Sequence, residues 1–458
     1  MEKIIQLRSL LKKNDLDGYI VPKNDEFFSE YVHENEDRLK FISKFSGSYG
    51  FAIFLQNKNY LFIDGRYTLQ AKIQSGEEFK TITIPNKLPS DILKKKSLKI
   101  GFDPKIYTDR TLKLFFNKTK CKLVPINHNL IDKLWIKKKK KNLKKFYLLP
   151  ENAVGENYSL KIKKLIKILN EKKIDIQFIT ASENIAWLLN IRGNDTEFAP
   201  LPNSYLIIDA QKKIYLFCDI KKISSSLKKK MHDIKIIDIK NTSLFLSKIK
   251  NKKILIDSLS CSIYFENIIK INNRTFNFSD PIYFLKSIKS NIEIKNIIKS
   301  HIYDGAALTK FLFWLKKNFK QTSIDEISAQ KKLLQFRKAN KYFQFQSFPT
   351  ISGSGPNGAI IHYKATKKSN RKLQKGDIYL VDSGGQYKFG TTDVTRTISL
   401  DNNNLLIKNI FTRVLKGHIA VANYKLNHKT NGGQIDVVAR KYLKEINLDY
   451  PHGTGHGV

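Results

Sequence analysis

At 458 residues the chain is too long for one ordinary core, so two or three domains are expected. A hydrophobic fraction of 41% with 11% aromatics excludes wholesale disorder, and the widely spaced Cys121, Cys218 and Cys261 exclude a disulfide framework or a zinc ribbon. The formal net charge of +41 attracts polyanions, but the lysines are spread through nearly every segment alongside abundant Ile, Asn and Phe, the signature of a compositionally biased genome rather than of nucleic-acid recognition.

The N-terminus opens with an amphipathic helix on Ile4, Ile5, Leu7, Leu10 and Leu11, with no apolar core of a leader peptide. Strand-like runs follow at Gly18 to Pro22, Phe51 to Leu55 and Tyr60 to Ile63, the last closed by the turn signal Asp64-Gly65-Arg66. After Trp135 comes the densest basic run, Lys137 to Lys141 with Lys144 and Lys145, read as a solvated stretch at a domain boundary. From about residue 147 the order restarts: a helix over Leu160 to Leu169, then strands at Ile174 to Ile179, Tyr205 to Ile208, Lys213 to Phe217 and Lys253 to Asp257. This second α/β layer domain is read as a distant duplicate of the first. A third domain starts near Asn291 with a long helix patterned on Ile297, Ile298, His301, Ala306, Leu308, Leu312 and Leu315. A second helix is expected from Ser323, with Ser323-Ile324-Asp325-Glu326 as a capping box. No stretch approaches the ~18 apolar residues of a membrane span, and a soluble cytoplasmic protein is expected.

The chemistry concentrates in the third domain. Asp382 and Asp393 flank a Gly384-Gly385 turn between two strand-like runs, Ile378 to Val381 and Val394 to Ile398. An antiparallel arrangement brings both carboxylates to one side, where two like charges need a cation or a proton. The run His452-Gly453-Thr454-Gly455-His456-Gly457 places two imidazoles four residues apart in a segment too glycine-rich for a helix. Carboxylates plus imidazole without Cys suit Mn²⁺, Co²⁺, Zn²⁺ or Fe²⁺. His362 follows the glycine loop Ser352 to Gly358, at the end of a short strand expected from Ala359. Arg396 is read as a buried ion-pair partner that positions the carboxylates.

These segments resemble the catalytic domain of aminopeptidase P, a pita-bread metallopeptidase family. The resemblance extends upstream through Phe41 to Ser48, Asp64 to Tyr67, Asn129 to Trp135, Ala186 to Asp195, His301 to Gly305 and Thr350 to Gly358. It implies an α/β (α+β) fold: two creatinase/prolidase-like α/β domains, 1–146 and 147–290, and a pita-bread catalytic domain, 291–458, that lacks its C-terminal part. It further implies that Asp382 ligates one metal, that Asp393 bridges two, and that His456 ligates the other. His362 and His452 would be the substrate-facing catalytic histidines. Two glutamate ligands would lie beyond Val458, so the 458 residues alone are expected to be inactive. The implied cofactors are two divalent cations, Mn²⁺ first, with Zn²⁺ or Co²⁺ as alternatives. The implied substrates are peptides with proline second, and the implied assembly is a homodimer. Alternatives are a prolidase-like dipeptidase and a non-catalytic pita-bread binding module.

Overall fold

The computed structural model describes residues 2–94, 96–136, 144–401 and 404–457, so the basic run from Lys137 to Lys141 lies outside the described residues. The chain divides into two compact units. The first comprises Met1–Asp64, Thr68–Lys299 and Lys388–Gly390, and the second Gly65–Tyr67, Ser300–Tyr387 and Thr391–Val458.

The first unit begins with α1 (Glu2–Lys13), which buries Ile4, Leu7 and Leu11 along one stripe and carries Lys12 and Lys13 in its last turn, where they complement the helix dipole. Six strands then form one sheet: β1 (Gly18–Pro22), β2 (Phe51–Leu55), β3 (Asn59–Asp64), β4 (Lys80–Ile84), β5 (Lys99–Phe102) and β6 (Lys122–Pro125). Their order is β4-β3-β2-β1-β5-β6. Every residue of β1 and β2 is buried, as central strands covered on both faces require.

A small antiparallel pair, β7 (Tyr147–Leu148) and β9 (Ile191–Arg192), accompanies the second half of this unit. There α2 (Tyr158–Glu171) starts at Asn157, whose side chain accepts from the Ser159 amide, and buries Ile162, Leu165, Ile166 and Leu169. The second sheet comprises β8 (Ile176–Ile179), β10 (Ser204–Asp209), β11 (Ile214–Cys218), β12 (Lys235–Asp238), β13 (Lys253–Ile256) and β14 (Arg274–Asn277). Its order is β12-β11-β10-β8-β13-β14. Position by position it repeats the first sheet, with two antiparallel pairings in the middle and parallel pairings elsewhere. The duplication that faint sequence similarity only suggests is therefore explicit in the topology.

The two helices expected at the start of a third domain are α3 (Asn291–Asn318) and α4 (Glu326–Lys338). The buried stripe of α3 is Ser300, Asp304, Ala307, Leu308, Phe311 and Leu315, rotated from the expected one, and Ile298 is exposed. Asp304 sits on the core face because it has a buried cationic partner, which a purely apolar pattern does not register. The α4 cap also differs from expectation. Asp325 is the N-cap and Ser328 its reciprocal partner, while Glu326 is the first helical residue and fully buried.

Beyond α4, β15 (Phe343–Gln346), β18 (Gly385–Tyr387) and β19 (Gly390–Thr391) form one small sheet, and β16 (Ile351–Ser354), β17 (Ile378–Ser383) and β20 (Val394–Ser399) form another in the order β16-β17-β20. The core face of β17 carries Tyr379 and Val381, packed with Leu308, Phe311, Leu333 and Leu400. The chain continues through α5 (Leu405–Ala422) and α6 (Gly432–Lys444). Among the described residues no helix is long and apolar enough to cross a membrane.

Candidate metal centre

Strand alternation places the first carboxylate. Along β17 Tyr379, Val381 and Ser383 point into the core, so Asp382 projects from the opposite face. Asp382 pairs with Thr395 across β20, and Asp393 immediately precedes that strand. The expected antiparallel strands are present, but Gly384 and Gly385 do not make a tight hairpin between them. The intervening chain leaves to form β18 and β19 in the other small sheet. Gly384 serves close approach instead, since a Cβ there would lie 1.9 Å from the Thr392 carbonyl oxygen.

Asp382 and Asp393 meet. Thr395 stands opposite Asp382 in the strand register, and Asp393 lies close enough for its charge to act on Asp382. Burial, then the charge of Asp393, pushes Asp382 up to about 6, while Thr395 and His456 pull the other way. Asp382 Oδ1 is buried with no hydrogen-bond partner. His456 reaches the pair from the glycine-rich run, its Nε2 3.6 Å from Asp393 Oδ2, and its side chain stays 74% exposed. The two carboxylates and one imidazole are thus associated, yet among the described residues no three His, Cys, Asp or Glu side chains close into a complete metal cage. An orphaned acceptor beside a second carboxylate still fits a divalent cation: both are costs that a positive charge removes.

His452 is exposed, its Nδ1 2.8 Å from the Gly453 carbonyl oxygen. Arg440 of α6 holds its stretch of backbone, donating to the carbonyl oxygens of Tyr450 (2.7 Å) and His452 (2.6 Å) and to Asp436 and Asp449. His362 lies in a turn, not at the end of a strand. Its φ of +56° is left-handed, and the Ile360 amide donates to the Asn357 carbonyl oxygen just before it. His362 Nδ1 is 2.7 Å from the Tyr67 hydroxyl, which belongs to the same compact unit.

Arg396 is not buried. It stands exposed on the edge strand β20 and donates to the Thr395 carbonyl oxygen at 2.8 Å; its long stem lets the guanidinium leave the sheet. The arginine buried beside this strand is Arg337. It makes a bidentate pair with Asp304 (2.7 and 2.9 Å) and donates to the Ser383 hydroxyl (3.0 Å), one residue from Asp382. Tyr387 also donates to Asp304, at 2.9 Å. The sequence signal for this network was a charged residue, Asp304, in step with the apolar stripe of α3.

Three family models match the chain: the Creatinase/Prolidase N-terminal domain over residues 3–134, a second such domain over 137–293, and metallopeptidase family M24 over 295–458. With a mixed α/β architecture these define a creatinase-type metallopeptidase. The chain is 35% identical to a probable Xaa-Pro aminopeptidase P of Laccaria bicolor, covering 100% of itself and 74% of that protein. It is 35% identical to Xaa-Pro aminopeptidase 1 of Dictyostelium discoideum, covering 100% of itself and 76% of that protein. Its fold superposes on the crystal structure of a Caenorhabditis elegans X-prolyl aminopeptidase, described as a cytosolic enzyme with a di-nuclear active site, with a TM-score of 0.92 at 30% identity. That match covers 100% of this chain and 79% of the other. The chain belongs to the Xaa-Pro aminopeptidase family.

Proposed function

We propose that this protein releases the first residue from peptides that carry proline in second position, using two divalent cations, Mn²⁺ in the first place. The observation that carries the reading is the buried, unpartnered Oδ1 of Asp382 beside the Asp393 carboxyl, within a chain that shares 35% identity with Xaa-Pro aminopeptidases. Asp382, Asp393 and His456 would hold the cations, with Asp393 between them. When bound, the metal pair lowers the pKa of a water towards neutrality and polarises the scissile carbonyl.

The chain's own residues supply the rest. His362 and His452 hydrogen-bond the peptide and the oxyanion that develops from its carbonyl, with Tyr67 orienting the His362 ring through Nδ1. The Arg337–Asp304 pair anchors Ser383 and so the backbone beside Asp382. The scissile bond is a tertiary amide with no N–H, and the fixed ring demands a dedicated pocket.

The same reading keeps three domains, 1–146, 147–290 and 291–458, and a cytoplasmic location, as in the cytosolic relative. A homodimer is carried by the family resemblance, and sedimentation tests it. The protein as its gene encodes it, assayed with Mn²⁺, should cleave such peptides and stop when a chelator is added. Equal turnover of peptides with alanine second would sink the proline assignment.

A further inference from the structure

We propose that Glu326 is a positioning residue: its buried carboxylate fixes the segment from Ser354 to Arg371 and thereby sets the His362 ring. The inference rests on the reading of His362 as a substrate-facing group.

Glu326 stands at the first turn of α4 and is 0% exposed. Its two oxygens face four different donors, all from one segment. Oε1 accepts from the Ser354 amide at 2.8 Å and the Asn357 side-chain amide at 3.0 Å. Oε2 accepts from the Tyr363 hydroxyl at 2.8 Å, the Arg371 amide at 3.0 Å and Asn357 again at 3.2 Å. The backbone of Glu326 takes part as well, its carbonyl oxygen accepting from the Ser352 hydroxyl and its amide donating to the Arg371 carbonyl oxygen.

The partners divide along the segment in a telling way. Ser354 lies at its start and Arg371 at its end, so the carboxylate closes the loop at its base. Asn357 and Tyr363 lie on either side of the turn that carries His362, and Asn357 also donates to the Tyr363 hydroxyl at 2.9 Å. His362 is bonded covalently to Tyr363 and holds a left-handed backbone that a non-glycine residue keeps only when its surroundings over-determine it. Gly355, at φ +53°, admits the sharp entry to the same turn. A carboxylate presents only acceptors, and every group around it here is a donor. Glutamine in its place would turn an NH₂ group towards one set of donors, and the Arg371 amide or the Ser354 amide would lose its acceptor.

Two variants test this by hydrogen exchange on the chain without any metal or substrate. Glu326→Gln should speed amide exchange across 354–371 while leaving 378–399 unchanged. Tyr363→Phe, which removes one donor and buries no unpaired charge, should do the same more weakly. Exchange that is unaltered in both variants, or that rises equally through 378–399, overturns the proposal.

A double-mutant cycle in the active protein then reads the effect through His362. Glu326→Gln should lower kcat/KM by on the order of tenfold in the native background and by less than about twofold in His362→Ala. Equal factors in the two backgrounds overturn the positioning role. An unaltered kcat/KM in His362→Ala itself would instead refute the function proposed for His362, an outcome the exchange measurements do not touch.

Discussion

Replacing Asp382 by Asn in the metal-free protein should change stability in a pH-dependent way that follows from one carboxyl. Asp382 is held up to about 6 in the fold, against 3.8 for the ordinary group, by burial and by Asp393. The folded state therefore binds this proton more tightly than the unfolded chain does. The stability it contributes is complete below about pH 3.8 and is lost as the pH rises through about 6. The gap corresponds to roughly 3 kcal/mol at about 1.36 kcal/mol per pH unit. Asparagine has nearly the same shape and never ionises. The stability of Asp382→Asn relative to the native protein should thus rise by up to roughly 3 kcal/mol between pH 4 and pH 7 in chelator, because the other carboxyls cancel in the difference. Urea unfolding can be followed through Trp314, which packs against the core of the second unit, once Trp135 and Trp187 of the first unit are replaced by Phe. Saturating divalent cation should cancel most of that rise, since ligand at 100 times its Kd at a site that only the native protein keeps stabilises it by about 2.7 kcal/mol. A difference that is flat with pH, or that grows towards acid, would refute the reasoning.

Three further outcomes are expected. Asp393→Asn should abolish binding of both cations while Asp382→Asn spares one, as metal stoichiometry by titration calorimetry would show; equal loss in both contradicts a bridging role. Asp304→Ala strands the fully buried Arg337 guanidinium and should cost about 3–5 kcal/mol in the same unfolding assay, whereas Asp304→Leu with Arg337→Met should recover much of it. A double variant as unstable as the single one would exclude an uncompensated charge as the cause. Arg440→Ala removes charge-assisted bonds worth about 1.5–3 kcal/mol each, so amide exchange over 449–454 should quicken by on the order of tenfold or more with α6 unaffected; unchanged exchange there would show that Arg440 does not hold the His452 segment.

The parts of the fold that were legible in sequence are those whose physics is local. Runs such as Gly18 to Pro22 and Phe51 to Leu55 became strands with those bounds, because continuous apolar runs between turn residues leave few alternatives. Asp382 and Asp393 could be paired because eleven residues and a strand period determine which face each side chain takes. What escaped was decided by partners distant in sequence. Asp304 on the core face of α3 is intelligible only with Arg337, 33 residues on. Ser323, three residues before Glu326, reads as its capping partner, whereas the donors to Glu326 come from residues 354 to 371. Arg396 reads as the buried ion-pair partner that Arg337 is, since an edge strand cannot be told from a central one before the sheet order is known. The apolar neighbours of His362 read as the end of a strand, but its backbone obeys the turn held by Asn357 and Tyr363.

The antiparallel register of β17 and β20 also dictates an order of assembly. Asp382 and Asp393 are separated by eleven residues, while His456 lies 63 residues beyond Asp393. Closing the longer loop costs roughly 1.5 kcal/mol more in chain entropy, and on a growing polypeptide its far end is synthesised last. The two carboxyls therefore meet before His456 can join them. Below about pH 6 a proton competes with the cation for Asp382, so the seat that forms first in the chain is also the one whose loading responds to the acidity around it.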